Sequence, residues 1–245
     1  MRPLTNDCLL EAWDRGSGQT PLGRALTMLA FAAPERESAE FAALSIPERN
    51  LELLRLRRLT FGDALRGFHA CERCGASLEF EEGVSSLLDR LDAGGESAAA
   101  EWTIGNFIFT MRPANSEDLA AAAAASELRV ARRTLLERCT TWRREGARNG
   151  QTGPDAAEFE QSALAKFEEI HQAAEIFFTL SCPSCGQSQK AEFDIAQFLW
   201  AEISGAAAAL LREVHELARA YGWAEAAILQ MSAARRRMYL EMVRA

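Results

Sequence analysis

The chain has 245 residues, of which 48% are hydrophobic and 25% charged, and its net charge is −8. These values suit a soluble globular protein of one large or two small domains and weigh against broad nucleic-acid or membrane-surface binding, which needs positive potential. No apolar run is long enough to span a bilayer, and Met1 to Asp7 carry no signal-peptide core, so the expected location is the cytoplasm.

Residues 3–13 read as a short helix, followed by a turn at Asp14-Arg15-Gly16-Ser17-Gly18. Thr20-Pro21 is an N-cap followed by proline at the first helical position, and Leu22, Ala25, Leu26, Leu29 and Ala33 recur at helical spacing until Pro34. A helix is expected over 35–44. Ser45-Ile46-Pro47-Glu48 opens another over 48–60, with Leu51, Leu53, Leu54, Leu56 and Leu59 facing a core and Arg49, Arg55, Arg57 and Arg58 forming a solvated face. Phe68 to Glu81 has the alternation of a small hairpin with a cysteine pair at its tip.

Residues 84–91 suit one or two turns of helix, and Asp92 to Ser97 a loop. Residues 101–112 suit one or two strands around Gly105-Asn106. Asn115 with Asp118 caps a helix over 116–125. Leu128, Ala131, Leu135, Leu136 and Cys139 carry helical spacing on to about Arg144, with Arg129, Arg132, Arg133, Arg138, Arg143 and Arg144 as solvated decoration. Glu145 to Asp155 reads as a loop, 156–171 as a helix, and Ile176 to Leu180 and Gln187 to Phe193 as strands around a second cysteine pair.

The strongest periodicity is Ile195, Leu199, Ile203, Ala206, Leu210, Val214, Leu217 and Tyr221, one stripe on a helix of about seven turns that Gly222 ends. A short helix with Trp223, Ile228 and Leu229 follows. Ser232 caps a last one carrying Met238, Tyr239, Met242 and Val243.

The motif with chemical content is the pair of hooks Cys71-Glu72-Arg73-Cys74-Gly75 and Cys182-Pro183-Ser184-Cys185-Gly186, with 107 residues between Cys74 and Cys182. A Cys-x-x-Cys turn holds two thiolates on one side of a tight loop, and two such turns supply a tetrahedral set for Zn²⁺. The expectation is one structural zinc held by Cys71, Cys74, Cys182 and Cys185, with sulfurs about 2.3 Å from the ion. Two separate metals, or a redox pair in each hook, are the alternatives; the second wants a thioredoxin-like βαβ setting that neither hook has. His69 is a further ligand candidate, but four thiolates already complete the tetrahedron. They also leave no open position for a catalytic water. His215-Glu216 lacks the second histidine of a metalloprotease helix, since Arg219 stands in its place. There is no phosphate-cradling loop, nucleophile elbow or dinucleotide fingerprint, so no catalytic residue, small-molecule substrate or organic cofactor is expected.

Four stretches carry a resemblance. They are Leu10 to Gly16 with Pro21 to Leu26; Arg49 to Arg57 with Phe61-Gly62 and the first hook; Phe109 to Leu119; and Val214 to Trp223 running to Arg235-Arg236-Arg237-Met238-Tyr239-Leu240. In this order they resemble baseplate proteins of contractile phage tails and phage-tail-like injection systems. The similarity is to the T-even phage baseplate hub assembly-chaperone family, in a longer form bearing the hooks. The resemblance spans most of the chain and implies a non-enzymatic structural or assembly role, with baseplate, hub or tail-tube proteins as partners. Trp223, Arg235, Arg236, Arg237 and Tyr239 are the contact candidates; the plainer reading is that Trp223 and Tyr239 pack the last helices together. A zinc-ribbon regulator that binds nucleic acid is the alternative function, opposed by the acidic balance.

The expected architecture is mainly α with a small β zinc ribbon. It has an N-terminal helical region (1–67), ribbon halves (68–82 and 175–193), a mostly helical insertion (83–174), and a C-terminal long helix with two short ones (194–245).

Overall fold

The computed structural model describes residues 1–93, 99–144, 155–171 and 175–244. Among them are the helices α1 (Asn6–Ser17), α2 (Pro21–Ala32), α3 (Ser38–Ala43), α4 (Ile46–Phe61), α5 (Val84–Ala93), α6 (Ser116–Ala123), α7 (Leu128–Cys139), α8 (Ala156–His171), α9 (Ile195–Tyr221), α10 (Glu225–Leu229) and α11 (Ala233–Arg244). The strands are β1 (Ala64–Ala70), β2 (Ser77–Gly83), β3 (Ala100–Ile104), β4 (Phe107–Met111), β5 (Thr140–Arg144), β6 (Ile176–Ser181) and β7 (Ser188–Phe193). The chain is therefore mainly α with small antiparallel sheets, as its periodicities imply. The expected loop at 145–155 lies outside the described residues except for Asp155, as does most of the loop expected at 92–97.

The main core gathers α1, α2, α4, α5 and the C-terminal helices around α9, whose 27 residues bury Ile195, Leu199, Ile203, Ala207, Leu210, Val214 and Leu217. The expected stripe is right except at two points: Ala207 is buried where Ala206 is half-buried, and Tyr221 is exposed, because a 3.6-residue period drifts across a seven-turn face. Thr20, Ser45, Asn115, Asp194 and Gly222 cap their helices, Gly222 in the left-handed region at φ 69°.

A smaller core forms between the sheet β3-β4-β5 and α6 to α8. It buries Met111, Ala114, Leu136, Cys139, Ala163 and Ile170, and Trp102, Phe109 and Phe159 stack across it at 5.2 and 5.5 Å. The helix expected to run to Arg144 ends instead at Cys139. Thr140, Thr141 and Trp142 are strand formers, and their backbone pairs with β4, Thr110 opposite Thr141 and Phe109 opposite Trp142. Within the segment expected as an insertion, α5 belongs to the main core through Val84, Leu87 and Leu88. The two cores join where the Ile46 N–H donates to the Ala114 carbonyl at 2.8 Å and Ser45 bridges Asn115.

Two expectations near the N-terminus fail for packing reasons. The helix continues through Asp14 to Ser17, because Gly16 is a contact glycine rather than a turn glycine: a Cβ there would lie 2.5 Å from the Trp200 ring. The arginines of α4 are not all solvated. Arg57 is buried; its Nε and Nη2 donate to Glu202 of α9 at 3.0 and 2.7 Å, and its Nη1 donates to the Gly62 carbonyl at 2.9 Å. Arg49 is also buried, at the junction of the two cores, where it donates to Ser116 and Asn50. Burial pushes its guanidinium below the usual arginine range, and the carboxylate of Asp194 opposes that shift.

The smaller core has its own charged knot. Asp118 is fully buried and accepts from Arg112 at 2.6 and 3.1 Å, from Arg138 at 2.9 Å and from the Asn115 N–H at 3.1 Å. Burial raises its pKa, but these donors outweigh burial and hold it down to about 2. Beside it the Cys139 thiol, pushed up to about 12 by burial and by Asp118, stays protonated. His171, expected at a surface or rim, is half-buried. Its Nε2 accepts from the Ala114 N–H at 2.9 Å, which leaves Nδ1–H to donate to the Phe167 carbonyl at 2.8 Å. Burial lowers its pKa, so the ring is neutral in place.

Glu202→Ala strips Arg57 of its carboxylate and is expected to cost about 2–3 kcal/mol in urea unfolding. That is less than the roughly 3–5 kcal/mol of a fully buried pair, because the Glu202 side chain is 25% exposed. The double change Arg57→Met/Glu202→Leu, which removes both charges, is expected to regain most of the loss. Asp118 is depressed relative to an unfolded value of about 3.9. Its contribution is complete above that pH and is lost as pH falls toward about 2. Near-UV dichroism of Trp102 is expected to report loss of the smaller core in that window, and Asp118→Asn to remove most of the pH dependence there.

Candidate metal centre

The two hooks are local copies of one another. In the first, Cys71 N–H donates to the Ala76 carbonyl and Gly75 N–H to the Cys71 carbonyl, both at 2.8 Å. In the second, Cys182 N–H donates to Gln187 and Gly186 N–H to Cys182, at 2.8 and 2.9 Å. Gly75 and Gly186 both sit at φ 71°, where any side chain would be strained. Each hook tops an antiparallel hairpin, β1-β2 or β6-β7, as the alternation around it requires.

The hairpins stand side by side without forming one sheet. Leu78, Leu180 and Ala76 pack under the cysteines. Lower down, Phe80 meets Phe178 at 4.8 Å, Phe178 meets Phe193 at 5.3 Å, and Phe193 meets Phe198 of α9 at 5.1 Å. This ladder of rings ties the ribbon to the longest helix. Gly67 lies opposite Phe80, and a Cβ on it would meet that ring at 2.5 Å.

The packing brings Cys71, Cys74, Cys182 and Cys185 together, with all four sulfurs within 4.8 Å of one another. The pairs Cys71–Cys185 and Cys74–Cys182, each one residue from either hook, are 3.6 Å apart. A tetrahedral ion with metal–sulfur bonds of about 2.3 Å needs sulfurs about 3.8 Å apart, so the set fits one such ion. The four cysteines could hold a single metal. His69 lies in β1 opposite Leu78, outside that group.

The acidity of the thiols points the same way. Burial raises Cys182, but the N–H groups of Cys185 and Ser184 and the neighbouring thiols bring it down to about 6. At Cys185 the Gln187 N–H favours the thiolate, yet burial and the other three sulfurs push it up to about 12. Thiolates packed this closely oppose one another's ionisation, and a divalent cation at the centre would offset that repulsion.

Comparison with known proteins gave no match: no family model, no curated protein and no solved structure is similar to the chain.

Sequence reasoning missed Gln189. Its side chain is buried, donates to the Ala70 carbonyl at 3.2 Å and accepts from the Glu72 N–H at 3.0 Å, so it binds the second hairpin to the first hook. It stands seven residues after Cys182, as Leu78 does after Cys71; the polar residue at an otherwise apolar matched position was the available signal.

The five contact candidates divide. Arg236 is buried, with Nε donating to Glu213 at 2.7 Å and Nη1 to the Met231 carbonyl at 2.6 Å, so it fastens α11 to α9. Trp223 stacks on Tyr221 at 4.5 Å and meets Tyr239 edge-on at 4.9 Å, closing the last helices together. Arg235 and Arg237 are exposed.

The purified chain is expected to bind one thiophilic divalent metal per molecule. Cys182→Ser should abolish stoichiometric binding and lower the thermal midpoint, and a strong chelator should lower the midpoint of the unaltered chain to a similar degree. Cys139→Ser should leave metal content unchanged.

Proposed function

We propose that the chain is a non-enzymatic structural or assembly protein of the baseplate or hub of a contractile phage tail or phage-tail-like injection system. In this reading it works in the cytoplasm, where such particles are built, and its four-cysteine centre is a zinc staple. A closed four-thiolate set suits an ion retained for structure, and zinc has no redox chemistry to protect.

The observation that carries the reading is the ordered series of resembling stretches together with what each does in the fold. Leu10 to Gly16 places Gly16 against Trp200. Arg49 to Arg57 supplies the two buried guanidinium groups of α4. Phe109 to Leu119 contains Arg112 and the buried Asp118. Val214 to Trp223, running to Arg235 to Leu240, contains the Gly222 cap, the Tyr221–Trp223–Tyr239 rings and buried Arg236. Each resembling stretch thus supplies at least one residue to a buried joint, which supports the reading. No helix among the described residues is long and apolar enough to cross a membrane. The cleft beside the ribbon, about 450 Å³, is lined by Glu192 and Asp194 as well as phenylalanines, which opposes a phosphate backbone there.

Tagged chain purified from its native host, with mass spectrometry of proteins and metals, tests the proposal. Tail-tube, hub or wedge proteins and one zinc per chain are the expected result. Recovery of RNA polymerase, or of nucleic acid whose retention falls steeply with salt, would overturn it in favour of a zinc-ribbon regulator.

A further inference from the structure

A groove runs between α1 and α10, enclosing about 390 Å³. Its floor holds Leu10 and Leu229, and four carboxylates surround it: Asp7, Glu11 and Asp14 from successive turns of α1, and Glu225 from α10. The Asn6 side chain donates to the Leu229 carbonyl at 3.2 Å and holds the two walls in register. None of the four carboxylates has a hydrogen-bond or ion-pair partner among the described residues. Elsewhere Glu52, Glu81, Glu160, Glu202, Glu213 and Glu216 each pair with an arginine.

The complementary surface is on the same chain. Arg236 and Leu240 turn inward from α11, so its opposite face presents Met238 and Met242, one turn apart and 59% and 60% exposed. Arg235 and Arg237 flank that stripe. Arg235 lies over the Tyr239 ring at 5.7 Å, and neither arginine has a carboxylate partner among the described residues. Methionine side chains are flexible and polarisable enough to fill an irregular apolar floor.

We infer that the α1–α10 groove receives the Met238–Met242 face of α11 from a second copy of this chain, its four carboxylates meeting Arg235 and Arg237. Groove and donor face adjoin within one chain, joined by Gln230, Met231 and Ser232 between α10 and α11. A two-fold axis near that link lets both exchanges occur at once, doubling the contact and closing the assembly as a dimer. The inference rests on neither the metal nor the proposed role in a tail-like particle.

Sedimentation equilibrium of the metal-loaded full chain tests it, with two block reversals. One is Arg235→Glu/Arg237→Glu; the other is Asp7→Lys/Glu11→Lys/Asp14→Lys. The unaltered chain is expected to dimerise, more weakly as salt rises. Each reversal alone sets like charges against each other in both exchanges and should weaken dimerisation by about a hundredfold or more. Mixed in equal amounts, the two reversed chains make both exchanges complementary again and should recover a dimer. Met238→Ser/Met242→Ser, two exposed positions that leave the core intact, should also weaken association, and guards against a reversal that fails to fold. A chain that stays monomeric at every concentration would overturn the inference. So would reversed chains that associate as well as the original, or a mixture that stays monomeric.

Discussion

The meeting of two cysteine hooks across 107 intervening residues governs the arrangement of this protein. Four sulfurs within 4.8 Å repel as thiolates, and a cation bound at their centre would turn that repulsion into attraction. The bond is relayed rather than isolated. Gln189 couples one hook to the other hairpin, and the rings of Phe80, Phe178, Phe193 and Phe198 carry the join down to α9. Because α9 is the helix against which the N-terminal and C-terminal elements pack, an ion held by the four cysteines would bear on the alignment of the main core.

Buried or half-buried charges make further joints. Arg57 with Glu202 connects α4 to α9, Arg236 with Glu213 connects α11 to α9, and Asp118 gathers Arg112 and Arg138 in the smaller core. Such pairs add little net stability over apolar residues of similar volume, since desolvation offsets most of the attraction. Their effect is selective: a helix shifted by one turn would leave a buried charge without its partner, so each pair favours one packing over its neighbours.

How much was legible in the sequence follows from this division. The hooks and the α9 stripe were readable because spacing alone specifies them: two thiols three residues apart, and apolar positions every three or four. Capping at Thr20, Ser45 and Asn115 was readable for the same reason. What failed depends on distant partners. Nothing local distinguishes Arg57, which turns inward to Glu202, from Arg55, which pairs at the surface with Glu52. Gly16 resembles a turn glycine until Trp200 is seen lying on it. Residues 140–144 follow a helical run, and pairing along the edge of β4 lets the strand-forming Thr140, Thr141 and Trp142 leave it.

The order in which the four cysteines leave the ribosome gives the split set a further meaning. At about 5–20 residues per second, Cys182 emerges roughly 5–20 s after Cys74. Over that interval the first hook is a two-thiol half-site, weak for metal and open to exchange. The intervening chain includes most of a core of its own, so that part can collapse before the centre closes. That early collapse shortens the effective loop that the second hook must close, and with it the entropy cost of a contact so distant in sequence. Capture of a metal by the four cysteines would thus be one of the last steps of maturation, open only to a chain synthesised past its second hook.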